Sequence, residues 1–303
     1  MEIFYKNENL TLYLGDVLEV LKNMDSASVQ CCITSPPYYG LRDYGIAGQI
    51  GVEQTPFEYV NKLVCVFNEL KRVLKPNGTL WLNIGDSYVS EPTGSLGNRS
   101  NNAYGFGEHH KHQNAGTRRI DKTGFGLQEK NLIGIPWRVA FGLQESGWIL
   151  RQDIIWSKLN PMPESVKDRC TKAHEYIFLL SLNQDYYFDN NGIQEIVSIE
   201  ESEEDLFGYK KETKIITKNR RSVWNIANEP FKGEHVAPYP TKLVEPCILC
   251  GSKEGDIVLD IFNGSGTTGL VANKLNRKYI GIDINPKYLN ISLDRLNLKD
   301  NLL

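Results

Sequence analysis

Two short runs hold residue types that could do chemistry. The first is Thr34-Ser35-Pro36-Pro37-Tyr38-Tyr39. Pro37 fixes its own backbone and restricts Pro36 to extended conformations, so a carbonyl is held out rigidly. Ser35 adds a hydroxyl and Tyr38 an aromatic face. Together they suit a flat ring bearing an exocyclic amine, which would stack on the ring and donate its N–H groups to the hydroxyl and carbonyls. The second run is Asp260-Ile261-Phe262-Asn263-Gly264-Ser265-Gly266-Thr267-Thr268-Gly269. Gly264, Gly266 and Gly269 have G-x-G-x-x-G spacing, and Asp283 lies about 20 residues on, where a carboxylate can take ribose hydroxyls. Alone, the first run would read as a rigid loop with a buried tyrosine. The glycine spacing alone is a weak pattern, but the preceding strand, following helix and Asp283 favour an adenosine-bearing cofactor over a structural turn.

The elements around these runs decide how they are used. Leu12–Leu14 is a short strand, followed by Gly15-Asp16 and a helix carrying Val17, Leu18, Val20, Leu21 and Met24. Val29–Thr34 is a buried strand that must stop at the prolines, which cannot donate to a ladder. A helix over 56–75 starts with a capping box, Thr55 and Glu58 around Pro56, and carries Phe57, Val60, Leu63, Val64, Phe67 and Leu70 on one face. Asn77-Gly78 should turn the chain into a strand Thr79–Ile84. A helix near 136–146, strands at 148–156 and 175–182, a helix near 240–250, strands Ile257–Phe262 and Tyr279–Ile282, and a helix 286–297 continue the alternation. The fold class expected is α/β, a mostly parallel sheet with helices on both faces. Residues 87–130, rich in Gly, Asn, Ser and His, read as a long loop. Residues 198–221, acidic and then basic, read as a solvated insertion or a nucleic-acid contact.

The position of the glycine turn bears on the ligand. A nicotinamide-dependent fold opens with this turn and has the rest of its sheet downstream. Here about one helix follows Asp283, so the other strands must come from the N-terminal part. Asp260 before the turn also suits an ammonium or sulfonium better than a pyrophosphate. Both points favour S-adenosyl-L-methionine over NAD, with an NAD-dependent oxidoreductase as the remote alternative and a non-catalytic DNA-binding module as a third reading.

The two runs together resemble the β-group of amino-methylating DNA methyltransferases, in which a [S/D/N]-P-P-[Y/F] motif precedes an F-x-G-x-G motif. Thr34–Tyr39 matches the first and Phe262–Gly266 the second, and the resemblance extends through Leu12–Leu21, Thr79–Tyr88, Trp148–Lys158, His174–Asp189 and Tyr239–Leu296. Ile261 departs from the family's usual proline, and Cys31-Cys32 stands where aliphatic residues are usual. The resemblance implies a Rossmann-like, circularly permuted methyltransferase fold that uses S-adenosyl-L-methionine on double-stranded DNA. Ser at position 35 is associated in the family with cytosine N4, and Asp or Asn with adenine N6. The implied catalytic residues are Ser35, Pro36, Pro37 and Tyr38, with the target base flipped out of the duplex. The implied cofactor residues are Asp16, Thr241, Lys242, Asp260, Phe262, Asn263, Gly264, Ser265, Gly266, Thr267 and Asp283; Asp16 serves equally as a helix N-cap. The catalytic part would span 1–189, a target-recognition insertion 190–235, and the cofactor part 236–303. A homodimer and a separate cognate restriction endonuclease are compatible with the resemblance.

The remaining residues set bounds. Over 303 residues, 34 Lys and Arg against 37 Asp and Glu give a net charge of −3, so the protein is not basic overall and DNA must be held by local patches. Arg118, Arg119, Lys210, Lys211, Arg220 and Arg221 are the candidates, placed to hold phosphates. Six scattered cysteines form no disulfide framework, there is no long apolar run, and MEIFYKNENLTLYLGD lacks signal-peptide features, so a reducing cytoplasm is expected. Cys247 and Cys250 lie one helical turn apart and read as buried thiols rather than zinc ligands. His109, His110 and His112 in the loop read as exposed or near phosphate, and no metal site is expected.

Overall fold

The structure is a computed structural model that describes residues 2–89, 126–201, 213–231 and 238–298. In chain order the elements are β1 (Glu2–Lys6), β2 (Leu10–Leu14), α1 (Val17–Lys22), β3 (Val29–Thr34), α2 (Pro56–Val73), β4 (Leu74–Ile84), α3 (Ile135–Glu145), β5 (Ile149–Ser157) and β6 (His174–Ser181). They continue as β7 (Glu195–Glu201), β8 (Thr213–Lys218), β9 (Val223–Asn225), α4 (Thr241–Gly251), β10 (Ile257–Asp260), α5 (Thr267–Lys274), β11 (Lys278–Asp283) and α6 (Pro286–Arg295). Nine strands form one sheet in the order β1-β2-β11-β10-β3-β4-β6-β5-β9, while β7 and β8 pair apart from it. The ladders from β2 through β11, β10 and β3 to β4 are all parallel; β1, β6 and the β5–β6 pair introduce the antiparallel ones.

β3 is buried along its whole length, as a central strand with both faces covered must be. Its alternation sends Cys32 to a core with α1, α2 and α3, and Cys31 to a second core with α4, α5 and α6. From the adjacent pair β3–β10 the chain diverges. β3 continues through α2 to β4 on one side, and β10 through α5 to β11 on the other. That divergence opens a crevice at the carboxyl ends of β3 and β10, where open α/β sheets take ligands.

Several local expectations are modified. Thr55 caps α2, its hydroxyl accepting from the Glu58 N–H at 3.1 Å, but the Glu58 carboxylate reaches the Gln54 N–H rather than that of Thr55. Phe57 is exposed, under the guanidinium of Arg138, and Tyr59 and Val66 take the buried positions instead. Met24 lies beyond the end of α1. Asn77-Gly78 does not precede β4 but lies inside it. Leu74 pairs with Val29 and Thr79 with Cys31, so the four intervening residues bulge outward. β10 ends at Asp260, two residues earlier than expected. No helix among the described residues is long and apolar enough to cross a membrane.

Candidate active site

The cleft above the β3–β10 crevice is lined by Asp16, Ser35, Pro36, Pro37, Tyr38, Phe262, Asn263, Gly264, Ser265, Thr267 and Asp283, all anticipated from the sequence. β3 delivers Ser35 directly after its last strand residue. The Pro37 carbonyl accepts from the Tyr59 hydroxyl of α2 at 2.8 Å, and the Pro36 carbonyl has no donor among the described residues. Gly51 seals the loop beneath. At φ +100° its built Cβ would lie 3.1 Å from the Tyr38 carbonyl and 3.3 Å from Pro37 Cβ.

Tyr38 is fixed on two sides. Its ring lies so close to Gly85 that a Cβ there would sit 2.5 Å from Cε2. Its hydroxyl donates to Glu175 Oε2 at 2.5 Å, near Asn83 Oδ1 at 3.3 Å. Burial and the Glu175 charge push the Tyr38 phenol well above its usual range, so it stays a donor. Ser35 Oγ donates in turn to the Tyr38 hydroxyl at 3.5 Å. Lys158 pairs with Glu175 Oε1, and Asn83 Nδ2 donates to Oε2 at 3.2 Å. Hydroxyl protons are therefore directed along the chain from Ser35 to Tyr38 to Glu175, leaving the Ser35 oxygen, which lines the cleft, as an acceptor.

The glycine turn is held from below. Arg295 of α6 donates to the Ser265 carbonyl (3.0 Å), Ser265 Oγ (2.8 Å) and Thr267 Oγ1 (2.8 Å). Gly266, at φ +73°, lies out of the cleft against α6, where a Cβ would overlap the Ser292 hydroxyl and come within 2.8 Å of Ser292 Cβ. Asp283 accepts from Gly264 N at 2.7 Å and Asn285 N at 2.8 Å, and burial raises its carboxyl to about 7. Asp16 caps α1, accepting from Leu18 N (3.0 Å) and Glu19 N (3.2 Å), and also borders the cleft.

Four expected cofactor residues sit elsewhere. Gly266 is one, shaping the turn from behind. Asp260 is 1% exposed and lies under the floor rather than in the cleft. It accepts from Thr34 Oγ1 (2.6 Å), Tyr239 OH (2.8 Å), Thr268 Oγ1 (2.8 Å) and Phe262 N (3.1 Å). Burial raises its carboxyl, against the pull of those donors. A carboxylate engaged by four donors positions the ends of β3 and β10 and the start of α5. Thr241 donates to Glu229 through its N–H (3.1 Å) and hydroxyl (2.7 Å), and Lys242 is exposed, so neither lines the cleft.

The cleft also contains Arg42, Tyr44, Asn83, Lys158, Glu175, Tyr239 and Tyr288, none singled out from sequence. Tyr44 meets Tyr288 edge-on at 6.0 Å, joining the loop after the prolines to α6. Glu175 and Lys158 carried a usable signal, each being a charge at the boundary of an apolar strand. What hid them was topology. β6 runs antiparallel, so its first residues reach the same edge as the last residues of β3 and β5.

Away from the cleft, Arg220 stacks on Trp224 at 4.4 Å and Arg221 pairs with Glu195 at 3.0 Å. Arg118, Arg119, Lys210, Lys211 and the three loop histidines lie outside the described residues. Cys247 and Cys250 are buried in α4, with thiols raised by burial, Cys250 to about 12. Among the described residues no group of His, Cys, Asp and Glu is arranged to hold a metal ion.

The surroundings of the cleft fit S-adenosyl-L-methionine. A glycine turn with left-handed Gly264 brings backbone close, a carboxylate ends β11, and Phe262, Ile261 and Ile284 supply apolar walls. Comparison with known proteins agrees. A family model described as DNA methylase, of the N6/N4 methyltransferases, matches residues 29–294. The Type II methyltransferase M.Cfr9I of Citrobacter freundii is 48% identical over 290 residues, covering 96% of this chain and 88% of its own length. M.SmaI of Serratia marcescens is 45% identical over 285 residues, covering 94% and 90%. Among solved structures, the cytosine-N4-specific PvuII DNA methyltransferase superposes with TM-score 0.68 at 22% identity, covering 99% of this chain and 90% of that one. A Thermus thermophilus protein solved with S-adenosyl-L-methionine gives 0.60 at 22%, covering 94% and 91%. The fold is thus that of the S-adenosyl-L-methionine-dependent methyltransferases, Rossmann-like and permuted. Within that class, the chain belongs to the N6/N4 family of DNA methyltransferases.

Proposed function

We propose that the protein methylates the exocyclic N4 amino group of a cytosine flipped out of duplex DNA, within a restriction–modification system like its Type II relatives. The observation that supports methylation of an amino group is the donor chain from Ser35 through Tyr38 to Glu175, which leaves the serine oxygen as an acceptor beside the Pro36 carbonyl. An exocyclic amino nitrogen is a poor nucleophile because its lone pair is delocalised into the ring. Two acceptors on its two protons draw that lone pair out of conjugation, and the rigid proline pair holds the nitrogen in line. S-adenosyl-L-methionine, when bound, supplies an electrophilic methyl group. Asp283 would hold its ribose hydroxyls, Asp16 its adenine side, and the 262–267 turn its backbone-facing edge. The serine at position 35 and the printed specificity of the PvuII enzyme both support cytosine over adenine.

Target recognition falls to segments outside this machinery. We assign it to 190–235, whose described part includes the separate β7–β8 ribbon, together with the 87–130 loop. A two-stranded ribbon is a shape the major groove admits. The test is nucleoside mass spectrometry of DNA treated with the protein and S-adenosyl-L-methionine. N4-methylcytosine is expected. N6-methyladenine would overturn the base assignment, and no methylated nucleoside would overturn the reading as a whole.

A further inference from the structure

Methylation of an amino nitrogen leaves one proton too many, and the cleft must dispose of it. We propose that Glu175 is the terminal acceptor of that proton, reached through the hydroxyls of Ser35 and Tyr38. This rests on the amino-methylation reading above. In the step, the nitrogen–methyl bond forms as the sulfur–methyl bond breaks, leaving a neutral thioether. The amino proton passes to Ser35 Oγ, the serine proton to the Tyr38 oxygen, and the tyrosine proton to Glu175 Oε2. Serine and tyrosine end neutral, as they began, and the carboxylate ends as a carboxylic acid. No other reactant is needed.

The geometry is laid out for this. Tyr38 and Glu175 are already 2.5 Å apart, within the range of charge-assisted O–H···O⁻ bonds. The Ser35–Tyr38 step is 3.5 Å, a distance that tightens when a bound amino group loads the serine. Lys158 holds the other carboxylate oxygen and itself lies 4.5 Å over the Trp156 ring. It engages the carboxylate oxygen that Tyr38 does not, leaving Oε2 to the phenol. Lys172 and His174 precede Glu175 on the same stretch, and Lys172 is 4.0 Å from Asp86.

The other acids near the cleft are committed elsewhere. Asp86 Oδ1 accepts from the Ser87, Gly134 and Ile135 N–H groups, capping α3. Asp16 caps α1, Asp260 is sealed under the floor by four donors, and Asp283 holds the glycine turn. Among the described residues, Glu175 alone joins a cleft position to a hydroxyl chain ending at Ser35.

Single-turnover methyl transfer at saturating DNA and cofactor tests this, in wild type and in Glu175→Gln, Glu175→Asp and Tyr38→Phe. Glutamine keeps the shape and loses the basicity; aspartate keeps the basicity and changes the reach. Glu175→Gln is expected to be ~100-fold slower or worse, the usual weight of a positioned proton acceptor, while Glu175→Asp recovers at least part of the rate. Tyr38→Phe should show a comparable loss. The Glu175→Gln/Tyr38→Phe pair should be no slower than the slower single variant, because both cut one path. Cofactor affinity should hold within a few-fold throughout. Glu175→Gln within a few-fold of wild type, Gln equal to or better than Asp, or losses that multiply in the double variant would each overturn the proposal. If Glu175→Gln does not fold, a Tyr38→Phe rate near wild type overturns it as well. Wild-type production of N4-methylcytosine separates these outcomes from failure of the underlying reading.

Discussion

Ser35 is small, and the turn that carries it is fixed by two prolines and by Tyr59, so removing its oxygen leaves the backbone in place. Ser35→Ala should therefore bind cofactor like wild type and lose methyl-transfer rate by ~10²–10³, the usual loss for one preorganised polar contact made in the transition state. Rapid-quench single turnovers read that step directly, and a rate within a few-fold of wild type would make Ser35 structural. Asp283 makes a different kind of prediction. Burial raises its carboxyl from 3.8 to about 7, so in the free protein it is half protonated near neutrality. Ribose hydroxyls donate to the ionised form. Cofactor affinity should then rise with pH up to about 7 and level off above it, falling by up to tenfold per pH unit on the acid side. The same shift has the opposite sign for stability of the cofactor-free chain. An acid whose folded value is raised favours folding while protonated in both states, and that advantage is lost as pH rises from about 4 through about 7. Calorimetry between pH 6 and 8.5 checks the first effect, and Asp283→Asn should flatten it.

At the scale of elements, the turn between β10 and α5 contains two left-handed glycines, Gly264 and Gly266, and the second is packed against α6. Gly266→Ala pays for a left-handed backbone, about 1–2 kcal/mol, and for a collision with Ser292 in α6, about 1–3 kcal/mol more. Urea unfolding should show a loss of roughly 2–5 kcal/mol together with weaker cofactor binding; a loss below about 1 kcal/mol would show that α6 yields freely. This turn was legible in the sequence because glycine spacing, a preceding strand and a following acid are local signals. So were β3, stopped by its prolines, and α2, opened by Thr55. Local signals do not say where a strand is inserted. Nothing near Glu175 marks β6 as antiparallel, and that orientation carries Glu175 to the edge where Lys158, past the end of β5, and Tyr38 lie. Asp260 fails in the opposite sense. Its position beside the turn suggested a ligand contact, but Thr34, Tyr239 and Thr268, distant in sequence, close over it. β1, β9 and the β7–β8 ribbon went unread because short or charge-rich strands take their identity from partners rather than from periodicity.

The whole molecule carries a net charge of −3, so its attraction to DNA must be local. Arg220 and Arg221 lie where the β7–β8 ribbon returns to the main sheet through β9, and neither lines the cleft. Each has a protein partner, Arg220 the Trp224 ring and Arg221 the Glu195 carboxylate, yet the Arg221 side chain is 76% exposed and its ion pair is of the weak surface kind. Such a pair orients a guanidinium without consuming its remaining donors. If the two arginines meet phosphates, replacing both with alanine removes two counterion-release events. The slope of log affinity against log salt should then drop by up to about two, with weaker binding at every salt concentration and for every DNA sequence alike. The single-turnover rate at saturating DNA should not change, because neither residue borders Ser35, Tyr38 or the glycine turn. Fluorescence anisotropy across a salt series measures the slope. An unchanged slope with lowered thermal stability would assign both arginines to bracing the ribbon against β9, and the phosphate grip would then belong to the other basic residues of the recognition segments.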